Sequence, residues 1–170
     1  SMLIRCYDEE FHKKEPTYAD CEICKEWLNY QNFAEWFYKN YYEISNEKMC
    51  LDKDILIKGN KIYSPQTCIF VPDRINKLFI KSDAIRGEYP IGISYHKRKS
   101  GNDCLRVDIT LINGRRKLLG LFSFNEVEKA FICYKTEKER IIKQVADEYK
   151  DLIPTELYEA MYRYEVEIDD

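Results

Sequence analysis

The sequence predicts an α+β fold in which a small N-terminal module precedes a three-stranded antiparallel sheet packed on a long helix. Three short alternating segments, at 91–96, 104–111 and 117–122, are typical of strands. Asn113-Gly114, between the last two segments, is a strong hairpin signal. Apolar residues then recur at helical spacing from Val127 to Tyr149, and Asn125 with Glu128 resembles a capping box.

Local signals in the first half predict smaller elements. We expect Asp20 to cap a helix through Trp27 and Asn32 to cap another through Tyr41. The second helix would present one aromatic core face, made of Phe33, Trp36, Phe37 and Tyr41. Residues 51–62 alternate around Gly59-Asn60, which predicts a hairpin. A short strand at 67–71 and a short helix at 73–79 follow.

These elements divide the chain into modules. Pro90 and Gly87 mark a polar linker, and Pro154 ends the long helix before a last helix that starts at Thr155. We therefore expect a first module at 2–81, a linker at 82–90, a sheet-plus-helix module at 91–151, and a C-terminal helix with an acidic tail at 152–170.

The composition limits which classes of protein the chain can belong to. Of 170 residues, 45% are hydrophobic and 34% are charged, which is typical of a globular chain. No apolar run approaches the roughly 20 residues that span a bilayer, and the N-terminus lacks a signal-peptide pattern. We expect a cytoplasmic protein without a membrane partner.

Seven cysteines in such a compartment are expected to be free thiols. One CxxC pair is followed by two lone cysteines, so we expect core residues rather than a zinc site at Cys21, Cys24, Cys50 and Cys68.

A basic segment interrupts an acidic chain. Residues 92–120 carry seven basic residues against two acidic ones, although the net charge is −3. Alternation turns Arg106 and Asp108 away from the core, which leaves one sheet face rimmed with cations. This pattern favours double-stranded DNA as the partner over a merely solvated face. The candidate contacts are Lys97, Arg98, Lys99, Arg106, Arg115, Arg116 and Lys117.

Residues 89–139 resemble the plant-type ethylene-response-factor DNA-binding domain, which also occurs in phage homing endonucleases. The matching residues include Tyr89 to Ile93, Leu105 to Ile109, and Arg115 to Phe122. The resemblance implies a sheet that lies in the major groove and selects Arg98, Arg106, Arg115 and Lys117 as contacts. The family often has an aromatic residue on the exposed face of the central strand, where this chain has Arg106 and Asp108.

Residues 17–80 resemble phage proteins related to HNH homing endonucleases. The match includes Cys24 to Trp27, Asn32 to Trp36, Leu51 to Asp54, Gly59-Asn60 and Tyr63 to Pro65. The resemblance implies two strands and a helix around one divalent metal, with a histidine as base. Asp52 and Asp54 are two residues apart on the expected strand, so we expect them to share one face. They are the candidate catalytic residues and could hold Mg²⁺ with Asn76 or Asn60.

The segment 17–80 contains no histidine, and Lys53, which lies beside Asp52, is a poor base while protonated. We therefore expect sequence-dependent DNA binding by a phage or mobile-element protein that descends from homing endonucleases and lacks efficient cleavage. Two alternatives remain open. One is an active Mg²⁺-dependent endonuclease, and the other is a phage protein that binds and inhibits a host defence factor.

Overall fold

The computed structural model describes residues 1–80, 87–99, 101–111 and 113–170. Helices and strands are mixed and the second half holds a three-stranded antiparallel sheet with a long helix, so the predicted α+β class is confirmed. The chain forms two compact units, residues 1–77 with 152–160 and residues 78–151 with 161–170. Residues 82–86 of the expected linker lie outside the described residues.

The first unit contains short elements. Its helices are α1 (Met2–Tyr7), α2 (Glu9–Lys14), α3 (Tyr30–Asn40) and α4 (Asp73–Asn76). Its strands are β1 (Glu22–Ile23), β2 (Met49–Asp52), β3 (Ile62–Tyr63) and β4 (Ile69–Pro72). Single 3₁₀ turns occur at Pro16–Tyr18 and Lys25–Leu28, and a third, Lys77–Phe79, continues into the second unit.

The aromatic residues predicted for α3 contact a buried ring as expected, but those on the helix are only partly buried, and Tyr41 follows the helix and is exposed. Trp36, Phe37 and Tyr41 place their rings 5.5, 5.2 and 5.1 Å from the ring of Phe70 on β4. The helix begins earlier than expected because the side chain of Asn29, rather than that of Asn32, accepts a hydrogen bond from the N–H of Gln31.

Two further local predictions for the first unit were wrong. Residues 20–27 form no α-helix, since the N–H groups of Glu22 and Cys24 donate to carbonyls of Lys61 and Tyr63 and make a parallel β1–β3 pair. Residues 51–62 form no hairpin, because β2 pairs antiparallel with β4 instead. Both pairings are non-local, and a local turn signal cannot predict them.

The second unit consists of a sheet and one long helix. Strands β5 (Ile93–His96), β6 (Cys104–Thr110) and β7 (Arg116–Phe122) pair antiparallel in that order. Helix α5 (Val127–Tyr149) packs on one face of the sheet, where Leu105, Val107 and Ile109 are buried. The expected cap at Asn125 was wrong, because Ser123 and Glu126 form the capping box two residues earlier.

The last helix, α6 (Thr155–Arg163), begins where the sequence predicts it. In the described parts of the chain, no helix is both long enough and apolar enough to cross a membrane.

We expect Gly92→Ala to destabilise the second unit strongly. Gly92 has a φ of +79°, and an added Cβ would lie 2.0 Å from Cδ2 of Tyr134 on α5. The left-handed backbone and the clash together should lower the free energy of unfolding by about 2–5 kcal/mol.

Gly114→Ala is the matched control, because Gly114 has a φ of +78° but nothing within 4 Å of the added Cβ. It should cost only about 1–2 kcal/mol. Urea unfolding measures both losses, and equal losses would contradict the role of the Tyr134 contact.

Candidate nucleic-acid interface

One face of the three-stranded sheet is covered by α5, and we call the other the open face. Cross-strand pairing aligns Ser94, Arg106 and Leu121 in one row, Asp108 with Leu118 in the next, and Thr110 with Arg116 in the last. Arg106, Asp108 and Thr110 alternate with Leu105, Val107 and Ile109, which are buried against α5, so these rows point away from the helix.

The predicted cations lie at the two ends of β6. Lys97, Arg98 and Lys99 occupy the β5–β6 turn, and Arg115 and Arg116 lie at the start of β7 on the opposite end. Strand β6 has seven residues. At about 3.4 Å per residue, the two groups are roughly 20 Å apart along the strand. All are exposed except Arg98, which is half-buried.

Asp103 hydrogen-bonds to two residues at the end of β5 and just beyond it. Its carboxylate accepts a hydrogen bond of 2.9 Å from the backbone N–H of Arg98 and another from the hydroxyl of Tyr95. These bonds hold the pKa of Asp103 below its usual range, the Tyr95 hydroxyl being the larger cause. Asp103 therefore joins Tyr95 to the backbone of Arg98, and Lys97 and Lys99 on either side of Arg98 are exposed.

Arg106 and Asp108 form a bidentate ion pair in the middle of the open face. The Nε and Nη2 atoms of Arg106 donate to the two carboxylate oxygens of Asp108 at 2.7 and 3.1 Å. The Arg106 side chain remains 39% exposed. Because the pair is neutral overall, the centre of the face carries less net charge than the sequence pattern indicates.

Lys117 lies on the helix side of the sheet, not on the open face. It is the cross-strand partner of buried Ile109. Its ammonium is 3.0 Å from Oε1 of Glu137 on α5, and Arg140 contacts the same carboxylate. The hydrogen bonds from Arg140, the larger cause, and from Lys117 lower the pKa of Glu137 to about 2. Lys117 therefore joins β7 to α5.

The open face also carries apolar side chains that the sequence pattern does not indicate. Leu118 and Leu121 are 50% and 42% exposed, and they are the cross-strand partners of Asp108 and Arg106. Leucines in a strand predict a core, so composition gives no signal for their exposure. Only the strand register places them on the open face.

In the first unit, the candidate carboxylates do not share a strand face as expected. Strand β2 ends at Asp52, and Asp54 lies in the following bend. One Asp52 oxygen accepts the N–H groups of Asp54 and Ile55 at 2.9 and 2.8 Å, which makes a side-chain-stabilised turn. Asp54 pairs with the ammonium of buried Lys53 at 3.4 Å.

The two asparagines expected as further ligands lie outside β2. The amide of Asn60 donates to the carbonyls of Lys53 and Ile62, while Asn76 lies on α4, directly after β4. The segment does contain two antiparallel strands followed by a short helix. Within the described ranges, no group of three or more His, Cys, Asp or Glu side chains is placed to hold a metal.

The four cysteines weighed for zinc are divided between two places. Cys21 and Cys68 belong to a buried cluster with Trp27 and Tyr63, and Cys24 packs against it. The Cys50 sulfur instead lies 3.7 Å from a carboxylate oxygen of Asp73. Burial raises the pKa of the Cys68 thiol to about 12, so this sulfur stays protonated at neutral pH.

Comparison with known proteins returned no match among family models, curated proteins or solved structures. The two resemblances drawn from the sequence therefore stay predictions.

We expect Asp52→Asn to stabilise the protein at neutral pH. Burial, and then the charge of Asp54, raise the pKa of Asp52 from 3.8 to about 6. Between the two pKa values, Asp52 is protonated in the folded state and ionised in the unfolded state. The stability of the wild-type protein therefore falls as pH rises through this range. Asparagine retains the acceptor oxygen without the charge, and should add about 1–3 kcal/mol at pH 8 and almost nothing at pH 4.

The measurement is urea unfolding at both pH values, with exposed Asp20→Asn as the control for a lost surface charge. A loss of stability at pH 8 would contradict the structural role. So would a rise of the wild-type melting temperature in Mg²⁺ that the Asp52 variant abolishes, because that result indicates a metal site.

Proposed function

We propose that this protein binds double-stranded DNA through the open face of its three-stranded sheet. One observation carries the proposal: exposed cations stand at both ends of this face, at Lys97 and Lys99 on one side and at Arg115 and Arg116 on the other. The chain as a whole has a net charge of −3, so this local concentration is not a consequence of composition.

The dimensions of the face suit a DNA groove. A B-DNA major groove is about 12 Å wide and admits a sheet or a two-stranded ribbon. Cations roughly 20 Å apart along β6 would reach phosphates on the two sides of such a groove, while the rows between them face the base edges. Each phosphate contact releases condensed counterions, so binding should weaken as salt rises.

The same geometry favours DNA over double-stranded RNA. The major groove of an A-form helix is deep and narrow, and side chains on a sheet cannot reach its base edges. The resemblance of residues 89–139 to the ethylene-response-factor domain supports the same surface and the same groove.

Arg116 and Lys117 provide a test in which one charge is removed from each face of the same strand. Arg116→Gln should weaken duplex binding and reduce the slope of log K against log salt by about 1. Lys117→Gln removes the same charge from the helix side, so it should leave that slope unchanged. It should lower the free energy of unfolding by no more than about 1 kcal/mol, since the Lys117 side chain is half-exposed.

Fluorescence anisotropy with a mixed pool of labelled duplexes, titrated at several salt concentrations, measures both slopes. Lys143→Gln, on an exposed position of α5, is a second control for total charge. Equal effects of all three variants would mean that only net charge matters, and no binding at low salt would overturn the proposal.

A further inference from the structure

Lys138 differs from the other lysines of α5 in its position on the helix. Side chains three and four residues apart are helix neighbours, and an acidic neighbour can pair with a lysine. The ammonium of Lys129 lies 3.0 Å from a carboxylate oxygen of Glu126. That of Lys135 lies 3.1 Å from one of Glu139. The neighbours of Lys138 are Tyr134, Lys135, Ile141 and Ile142, and none of them is acidic.

The same neighbours place Lys138 beside the core. Tyr134, Ile141 and Ile142 are buried, and the spacing puts Lys138 on their side of the helix, where its own side chain is partly buried. Within the described parts of the chain, neither a hydrogen bond nor an ion pair satisfies its ammonium. Because an unpaired ammonium loses hydration there, burial lowers the pKa of Lys138 from 10.5 to about 8.

A desolvated lysine of this kind is a nucleophile, because the unprotonated amine has a free electron pair. At pH 8 about half of the Lys138 amines are unprotonated, against less than about 1% of amines with the ordinary pKa. The side chain is only partly buried, so a small reagent in water can reach it. An amide at this position would carry no charge, which suits the apolar neighbours better than an ammonium does.

We propose that Lys138 is a modification site that accepts an acyl group from a small acyl phosphate. The nitrogen attacks the carbonyl carbon, a C–N bond forms, and the C–O bond to the phosphate breaks. Phosphate leaves with the electron pair of that bond, and the extra proton on the nitrogen goes to solvent. The product is a neutral amide. The inference is independent of the proposed DNA binding, since Lys138 lies on α5 and not on the open face.

The first experiment compares lysines of α5 in the intact protein. The folded protein is treated at pH 8 with a limiting amount of acetyl phosphate, and peptide mass spectrometry gives the acetylation rate at each lysine. The same rates in concentrated urea describe the unfolded chain. The ratio of the folded to the unfolded rate should be about 10-fold higher at Lys138 than at Lys143, because a desolvated amine is activated.

Lys143 is the matched control, since it lies on the same helix, is exposed, and has the acidic neighbours Glu139 and Asp147. Dividing by the rate in urea removes differences that come from the local sequence alone. If the ratio at Lys138 is equal to or below that at Lys143, the proposal is overturned.

The second experiment tests whether the position accepts a neutral group. Lys138→Gln removes the charge as acylation does, and it should raise the melting temperature at pH 7 by several degrees, because no unpaired ammonium is left. Lys138→Arg keeps the charge and should give no such rise, and Lys143→Gln should leave the melting temperature nearly unchanged. A fall in the melting temperature of Lys138→Gln would contradict the inference.

Acetylation of the wild-type protein should shift its melting temperature in the same direction as Lys138→Gln. The Lys138→Arg protein, treated in the same way, has no amine at this position and should not show that shift. If both treated proteins shift alike, the acyl group that matters is elsewhere and Lys138 is not the site.

Discussion

The packing of α5 on one side of the three-stranded sheet determines which side chains of the sheet are buried and which are exposed. Leu105, Val107 and Ile109 are almost completely buried by it, so the intervening residues of β6 must face outward. Gly92 meets the ring of Tyr134 with no room for a Cβ, which brings β5 close to the same helix. The open face therefore consists of the side chains that the packing of α5 leaves outside the core.

A β-bulge at Val107/Asp108 decides which side chains of β7 reach that face. Phe122 and Gly120 pair with the buried residues Leu105 and Val107, and simple alternation from them would turn Lys117 outward and Arg116 inward. The extra residue in β7 reverses this order, because a shift of one residue moves a side chain to the other face of a sheet. Leu118 then becomes exposed, and Lys117 reaches Glu137.

This reversal also explains how far the sequence could predict the molecule. Periodicity gave the strands and long helix of the second unit, because apolar spacing is a local signal that tertiary packing reinforces. It also gave the aromatic face of α3. Periodicity could not predict the β-bulge, and Lys117 was therefore expected on the same surface as Arg116. In the first unit, β1–β3 and β2–β4 pair across intervening chain, so the turn signal at Gly59-Asn60 predicted a hairpin that does not form.

The distribution of charge bears on the kind of DNA binding that this surface would support. A strongly basic protein gains affinity for every sequence through counterion release, which lowers the ratio between specific and non-specific binding. Here the net charge is −3, the cations lie at the ends of one face, and the central arginine is neutralised by Asp108. Such a surface would gain less from phosphates than a strongly basic one. A larger share of its affinity would then depend on base edges, which favours selectivity over strength.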